Sequence, residues 1–236
     1  MIKFKSLHES LEKEPGTQFG SNDGGVYKDK STNKKYYIKH YKNGDQAKVE
    51  ALTGKIYNHM GIHTLNPEYR VHDGKHSIST EWNEDVKTMR PSEYSKLDSK
   101  QAGQIGKMYH AAILTKNWDI VGLEHDNIVK NHKTGDLHAI DHGGSFHFRA
   151  QGGPKDYSKD IAEKNSLRNN DQASGHVFSS VLDAHPEAEK HGLEAVKKID
   201  DKHIHHLFKN SGLKNWEDLH NTFMARKKAL IDSYGS

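Results

Sequence analysis

The chain contains no cysteine, so disulfides and thiolate metal sites are excluded. No stretch approaches the roughly 18 consecutive apolar residues of a membrane span. Met1–Glu14 lacks the apolar core of a secretory signal. No sign of charge dominates: 35 Lys and Arg stand against 32 Asp and Glu, a net charge of +3. That balance does not argue for a nucleic-acid partner. There is no internal repeat and no low-complexity tail. These absences leave a protein with a cytoplasmic site of action as the expectation.

What is present is a polar but patterned chain. Its 236 residues are 33% hydrophobic and 28% charged, and the apolar ones recur in periodic clusters that disordered chains lack. That length suits one large domain or two lobes sharing a cleft. Nineteen histidines add positive charge at mildly acidic pH.

The most informative stretch runs from Asn117 to Ser145. It holds Asp119, then Asn127 beside Ile128-Val129, then the turn Lys133-Thr134-Gly135-Asp136, then Ala139-Ile140-Asp141 and a glycine pair. Two short strands joined by that turn would set Asn127 and Asp141 side by side. An amide and a carboxylate there, with Asp119 nearby, are the parts that hold Mg²⁺ and orient a nucleophile in phosphoryl transfer.

The preceding chain reads as support for such a site. Ser6 and Glu9 have capping-box spacing for a short helix ending near Lys13, before Pro15-Gly16. A glycine-rich run, Phe19 to Tyr27, leads through Ser31-Thr32-Asn33 into the strand Tyr36–Tyr41. Gly20, Gly24 and Gly25, with Ser21 and Asn22, would bring backbone N–H groups close to phosphate. Lys39 lies inside that strand. A helix over 45–61, capped by Asp45 and stopped by Gly61, carries Glu50 among its apolar residues, where it can pair with Lys39. Pro67–His72 and His76–Trp82 form a second hairpin around Asp73-Gly74. A polar linker at 83–98 precedes a helix at 99–115, with further helices near 176–184, 186–199, 201–210 and 215–234.

The motifs GSNDGGVY, YYIK, KVEALTGKIY and AIDHGGS, in that order, resemble the protein-kinase-like fold. The likeness covers about Thr17 to Arg149. It is nearest to the minimal effector kinases of bacterial pathogens and more distant from HipA-like kinases. The resemblance implies an α+β, two-lobed fold: a β-rich N-lobe at 1–82, the linker at 83–98, and a helical C-lobe at 99–236. It implies that the glycines cover the phosphates of ATP, that Lys39 holds them, and that Glu50 orients Lys39. The backbone near Glu81 and Trp82 would meet adenine, Asp119 would receive the acceptor's proton, and Asn127 and Asp141 would ligate Mg²⁺. The acceptor would be a Ser or Thr of a host or bacterial protein, and the enzyme a monomer acting in the cytoplasm or delivered into a host cell.

The chain departs from the usual pattern in named ways. Asn117-Trp118-Asp119 stands in place of His-Arg-Asp, and His142 in place of the Phe after the metal-binding acid. Asp119 precedes Asn127 by eight residues rather than five, so either the loop bulges or the acid is Glu124 or Asp126. No Ala-Pro-Glu element follows Gly144, so no activation-loop switch is expected. Three other readings stay open: a pseudokinase that binds a partner, AMP transfer on the same fold, and a zinc site built from His59, His63 and the 203–206 histidines.

Overall fold

The computed structural model describes residues 11–17 and 22–235. Five antiparallel strands make the first sheet: β1 (Leu11–Lys13), β2 (Gly24–Asp29), β3 (Lys35–Tyr41), β4 (Glu68–His72) and β5 (Lys75–Glu81), ordered β1-β2-β3-β5-β4. Both hairpins follow from their turn residues. Between β2 and β3, Asp29 Oδ1 accepts from Ser31 N and Oγ, and Asn33 takes a left-handed φ of 60°. Between β4 and β5, Asp73 and Gly74 have φ of 50° and 73°, the pair of positive values that a tight two-residue hairpin demands.

The N-terminal expectation needs correcting. Leu11–Lys13 is a strand paired with Asp29–Tyr27, not the end of a helix. Ser6 and Glu9 lie outside the described residues. A helix of two turns is marginal by itself, and the open edge of β2 offers a row of backbone partners instead.

Helix α1 (Gly44–His59) packs against β3, β4 and β5. Its cap is Asn43, whose side chain accepts from Asp45 N at 2.9 Å, two residues ahead of the expected cap. Met60 ends it and Gly61 follows at φ 70°, as a C-terminal glycine stop should.

The second half begins with β6 (Val86–Thr88) and a 3-10 turn at Pro91–Lys96, both inside the stretch expected to be linker. β6 pairs with β7 (Ile128–Asn131), which pairs with β8 (Leu137–Ala139). A second 3-10 turn, His142–Gly144, follows β8. The helices are α2 (Ser99–Thr115), α3 (Glu163–Ser166), α4 (Ala173–Ala184), α5 (Pro186–Lys197), α6 (Asp201–Lys209) and α7 (Trp216–Asp232). Among the described residues no helix is long and apolar enough to cross a membrane.

Helix α2 is the axis of this half. Asp98 caps it in a capping box with Gln101. From Gln101 to Thr115 all residues but Lys107 are buried, a wider face than the apolar period alone predicts. Glycines explain how α5 approaches so closely. A Cβ on Gly106 would lie 1.9 Å from Ala188 O, and one on Gly192 2.2 Å from Gly106 O. From α7, the fully buried Arg226 donates to Ile113 O at the end of α2, to Ser158 O and Asp160 O, and to Glu163 Oε2. One side chain thereby ties three segments to the segment that leads into the candidate site.

Candidate active site

The site starts from β3. Lys39 and Tyr41 are two residues apart and so share a face of the sheet. Lys39 Nζ lies 3.1 Å from Glu50 Oε2 on α1 and 2.7 Å from Asp141 Oδ1 after β8. The Tyr41 hydroxyl donates to Glu50 Oε2, and the Lys39 ammonium sits 4.9 Å from the centre of the Tyr41 ring. Burial opposes the charge on Lys39. Glu50 and Asp141 outweigh it and hold the amine well above its ordinary range. Burial likewise pushes the Asp141 carboxyl up, but the Lys39 ammonium outweighs it and leaves Asp141 below the usual carboxylate range. Glu50, buried on all sides, is pushed up despite its cation.

The second component is the loop after α2. Asn117 is fully buried, and its Oδ1 accepts from Asp119 N at 3.1 Å. A turn absorbs the eight-residue spacing. Gly122 N donates to Asp119 O, His125 N to Gly122 O, and Asn127 N to Val121 O. Gly122 (φ 79°) and His125 (φ 61°) supply the left-handed steps. The loop therefore bulges, and Asn127 Nδ2 returns to Asp119, 2.7 Å from its carbonyl and 3.4 Å from Oδ2. Glu124 is exposed on the bulge. Asp126, also exposed, faces the cleft described below. Half-buried Asp119 is pushed up to about 6, first by burial and then by the charges of Asp141 and Asp126.

Between the two components lies a cleft of about 460 Å³. Of the residues singled out in the sequence, Asn22, Lys39, Glu50, Glu81, Trp82, Asn127 and Asp141 all line it. Ile78, Val129 and Ile140 give it apolar walls suited to a flat ring. Asp119 stands one hydrogen bond behind Asn127. Gly24 and Gly25 are not loop residues. They are buried in β2, opposite Lys39 and Ile38, and a Cβ on Gly24 would lie 2.2 Å from Ile38 O. The glycines there serve strand approach. Gly20 and Ser21 lie outside the described residues.

The donors fit a hard cation. Asn127 spends its amide nitrogen on Asp119, which leaves its oxygen free for the cleft, and half-exposed Asp141 supplies a carboxylate. Mg²⁺ needs only one or two such protein oxygens when phosphates and water complete its shell. Among the described residues no group of three or more His, Cys, Asp or Glu is arranged to hold a metal. His59 instead stacks on His203, with ring centres 4.5 Å apart.

No family model matches the chain, and no curated protein matches its sequence. Its structure is similar to the proinflammatory kinase CtkA of Helicobacter pylori, with a TM-score of 0.62 over 94% of each chain at 14% identity. The fold is protein-kinase-like. Weaker similarity exists to a choline/ethanolamine kinase family protein of Mesorhizobium loti (TM-score 0.35, 14% identity, 94% of this chain and 87% of that one). The choline kinase LicA of Streptococcus pneumoniae gives 0.31 at 14% identity, covering 94% of this chain and 86% of that one.

Several contributors escape a sequence reading. Tyr41 was detectable, since period two places it beside Lys39. Gln46 on α1 donates to the carbonyls of Gly143, Arg149 and Ala150, and so fixes the helix to the segment after Asp141. Lys155 donates to Gly144 O at 2.6 Å and to Lys116 O, joining that segment to the Asp119 loop. Neither Gln46 nor Lys155 carries a local signal. His142 is buried with its ring edge-on to Tyr57 at 4.8 Å, and burial lowers it to about 4, so it packs as a neutral aromatic.

Proposed function

We propose that this chain is an ATP- and Mg²⁺-dependent kinase that phosphorylates Ser or Thr hydroxyls of a host or bacterial protein. One observation carries the reading. Lys39 pairs with both Glu50 and Asp141 on the wall of a cleft that also holds Asn127, and Asn127 is bonded to Asp119. Structural ion pairs of this kind do not need a cleft, and a binding scaffold does not need a carboxyl poised near neutrality beside them.

In this reading Glu50 and Tyr41 hold the Lys39 ammonium toward the α and β phosphates of ATP. Asn127 and Asp141 would hold Mg²⁺, which when bound neutralises phosphate charge. Glu81 and Trp82 border the place of adenine, and Asn22 the phosphate end. Asn117 and Asn127 fix Asp119, whose carboxylate accepts the acceptor hydroxyl's proton as that oxygen attacks the γ-phosphorus and the bond to the β,γ-bridging oxygen breaks, releasing ADP. The enzyme works as a monomer, with its lobes at 1–82 and 99–236 joined by 83–98. The likeness to HipA-like kinases rests on motif order alone.

The test is incubation with γ-labelled ATP, Mg²⁺ and bacterial or eukaryotic lysate, for the wild type, Asp141→Ala and Asp119→Ala. Label on protein in the wild type, lost in both variants, is the expected result. Label from α-labelled ATP alone would mean AMP transfer. ATP binding without label from either nucleotide would mean a pseudokinase.

A further inference from the structure

A cationic and aromatic patch lies outside the cleft, beside Asp119. Trp118 is 42% exposed although its neighbours Asn117 and Ile120 are fully buried. Three cations surround its ring: Lys155 Nζ 4.8 Å from the ring centre, Lys116 Nζ 5.6 Å, and the Arg149 guanidinium 5.7 Å. The indole is fixed from below, where Nε1 donates to Glu163 Oε1 at 3.1 Å. Glu163 is itself held by Arg226 and lies 3.7 Å from Lys116 Nζ, so its charge is already committed. Exposed Arg149 makes no ion pair among the described residues; its Nε donates only to Pro154 O. The cluster is therefore cation-rich, and the carboxylate that touches the indole, Glu163, is engaged with Arg226.

Its location ties it to the acceptor. A Cβ on Gly144 would lie 3.4 Å from Asp119 Cβ and 3.3 Å from Ala150 N, so Asp119 and the Arg149-Ala150 backbone flank the same glycine. Lys155 secures that arrangement through Gly144 O and Lys116 O. Gln46 secures it again from α1 through Arg149 O and Ala150 O. A hydroxyl presented to Asp119 would have its neighbouring residues within reach of Trp118 and Arg149.

We infer that Trp118 and Arg149, backed by Lys116, form a specificity subsite for an acidic side chain of the polypeptide acceptor, one or two residues from the phosphorylated hydroxyl. This rests on the kinase reading above. The chemistry favours a carboxylate. A guanidinium fork matches a carboxylate in two parallel hydrogen bonds, and the flat indole takes the methylene stem of Asp or Glu. One exposed guanidinium suits a single negative charge better than a phosphate dianion. Lys155 is buried, which brings its amine down to about 7, so it contributes only part of a charge at neutral pH. The same patch repels a cationic acceptor. A ring already flanked by Lys116 and Arg149 is not a pocket for a quaternary ammonium group, which seeks an aromatic face free of positive charge.

The test separates binding from turnover. Fluorescent Ser peptides flanked by Glu, Ala, Lys or phosphoserine are titrated by anisotropy into the full chain with Mg²⁺ and a non-hydrolysable ATP analogue. The wild type should bind the Glu peptide about ten-fold more tightly than the Lys peptide, the scale of exchanging an attractive for a repulsive partly exposed pair. Arg149→Glu should invert that order while ATP affinity stays unchanged, and Arg149→Gln should flatten it. Arg149 is exposed, so neither variant threatens folding. Equal binding of Glu and Lys peptides, or a preference that survives Arg149→Glu, overturns the subsite. So does a phosphoserine preference with Glu no better than Ala, or competition by millimolar choline. Phosphate incorporation is read on the same peptides. A flank preference without incorporation keeps the subsite and sinks the kinase reading; incorporation without preference does the reverse.

Discussion

Replacing Lys39 by Met separates what the Lys39–Glu50 pair does for the fold from what it does for chemistry. Lys39 is 8% exposed and Glu50 4%, so removing the amine leaves a buried carboxylate without its cation. Breaking a buried pair from one side costs about 3–5 kcal/mol. The burden falls on Glu50, because the Asp141 side chain is 45% exposed and water can take over from the ammonium. Glu50 has one escape, which is to bind a proton. Burial already raises its pKa above the ordinary 4.5 with the ammonium in place, and the variant raises it further.

The sign of the pH effect follows. A carboxyl whose folded pKa exceeds its unfolded value holds more protons in the folded state, so its stabilising contribution is complete below about 4.5 and is lost as pH rises through the folded pKa. The gap between wild type and Lys39→Met should therefore be small near pH 4.5 and open to about 3 kcal/mol or more by pH 8. Urea unfolding in EDTA at several pH values measures it. In the double variant Lys39→Met/Glu50→Gln no charge is left to bury, and most of the loss at pH 8 should be recovered. On the proposed kinase reading its turnover should stay absent, since the amine assigned to the phosphates is gone. A single variant within about 1 kcal/mol of wild type at pH 8, as for an exposed pair, would refute the reasoning. So would a double variant no more stable than the single one.

Three further outcomes are expected from the C-terminal half. Arg226→Met takes the guanidinium from Glu163 and from three backbone carbonyls, and calorimetry should show a melting temperature lower by about 10 °C, from about 3–5 kcal/mol at about 2–4 °C each. Gly106→Ala sets a methyl 1.9 Å from Ala188 O, so chemical denaturation should show a net loss of about 2 kcal/mol, although alanine is the better helix former by about 1 kcal/mol; a gain would mean that α2 and α5 do not touch there. For Lys155, burial lowers the folded pKa to about 7 from an ordinary 10.5, so the unfolded chain binds more protons between those values; wild-type stability should rise relative to Lys155→Met as pH climbs from about 7 to 10, and a constant difference would contradict the buried placement.

How far the fold and site could be read in the sequence depends on the reach of each interaction. Elements set by near neighbours were legible: the Asp73-Gly74 hairpin, the helix stopped at Gly61, and the turn at 133–136 that brings Asn127 and Asp141 to one cleft. Lys39 was legible from its place in the motif order, on the strand that follows the glycine-rich run and precedes the helix of Glu50, and Tyr41 was available from the period of two along the same strand. Elements that need a distant partner were not. β1 is a strand only because the edge of β2 accepts it, and β6 becomes one inside a polar linker only because β7 lies alongside. Lys155, Gln46 and Arg226 look like solvated helix or loop residues, yet each is buried and bonded to segments elsewhere in the chain, 113 residues away in the case of Arg226 and Ile113. A chain only 33% hydrophobic closes its interior with such residues as well as with apolar ones. Buried polar groups must find partners or lose their solvation without return. In this protein those partners converge on three segments: the Asp119 loop, the Asp141 turn and the 149–155 segment beside them. The same hydrogen bonds therefore satisfy the interior and hold the candidate site in register.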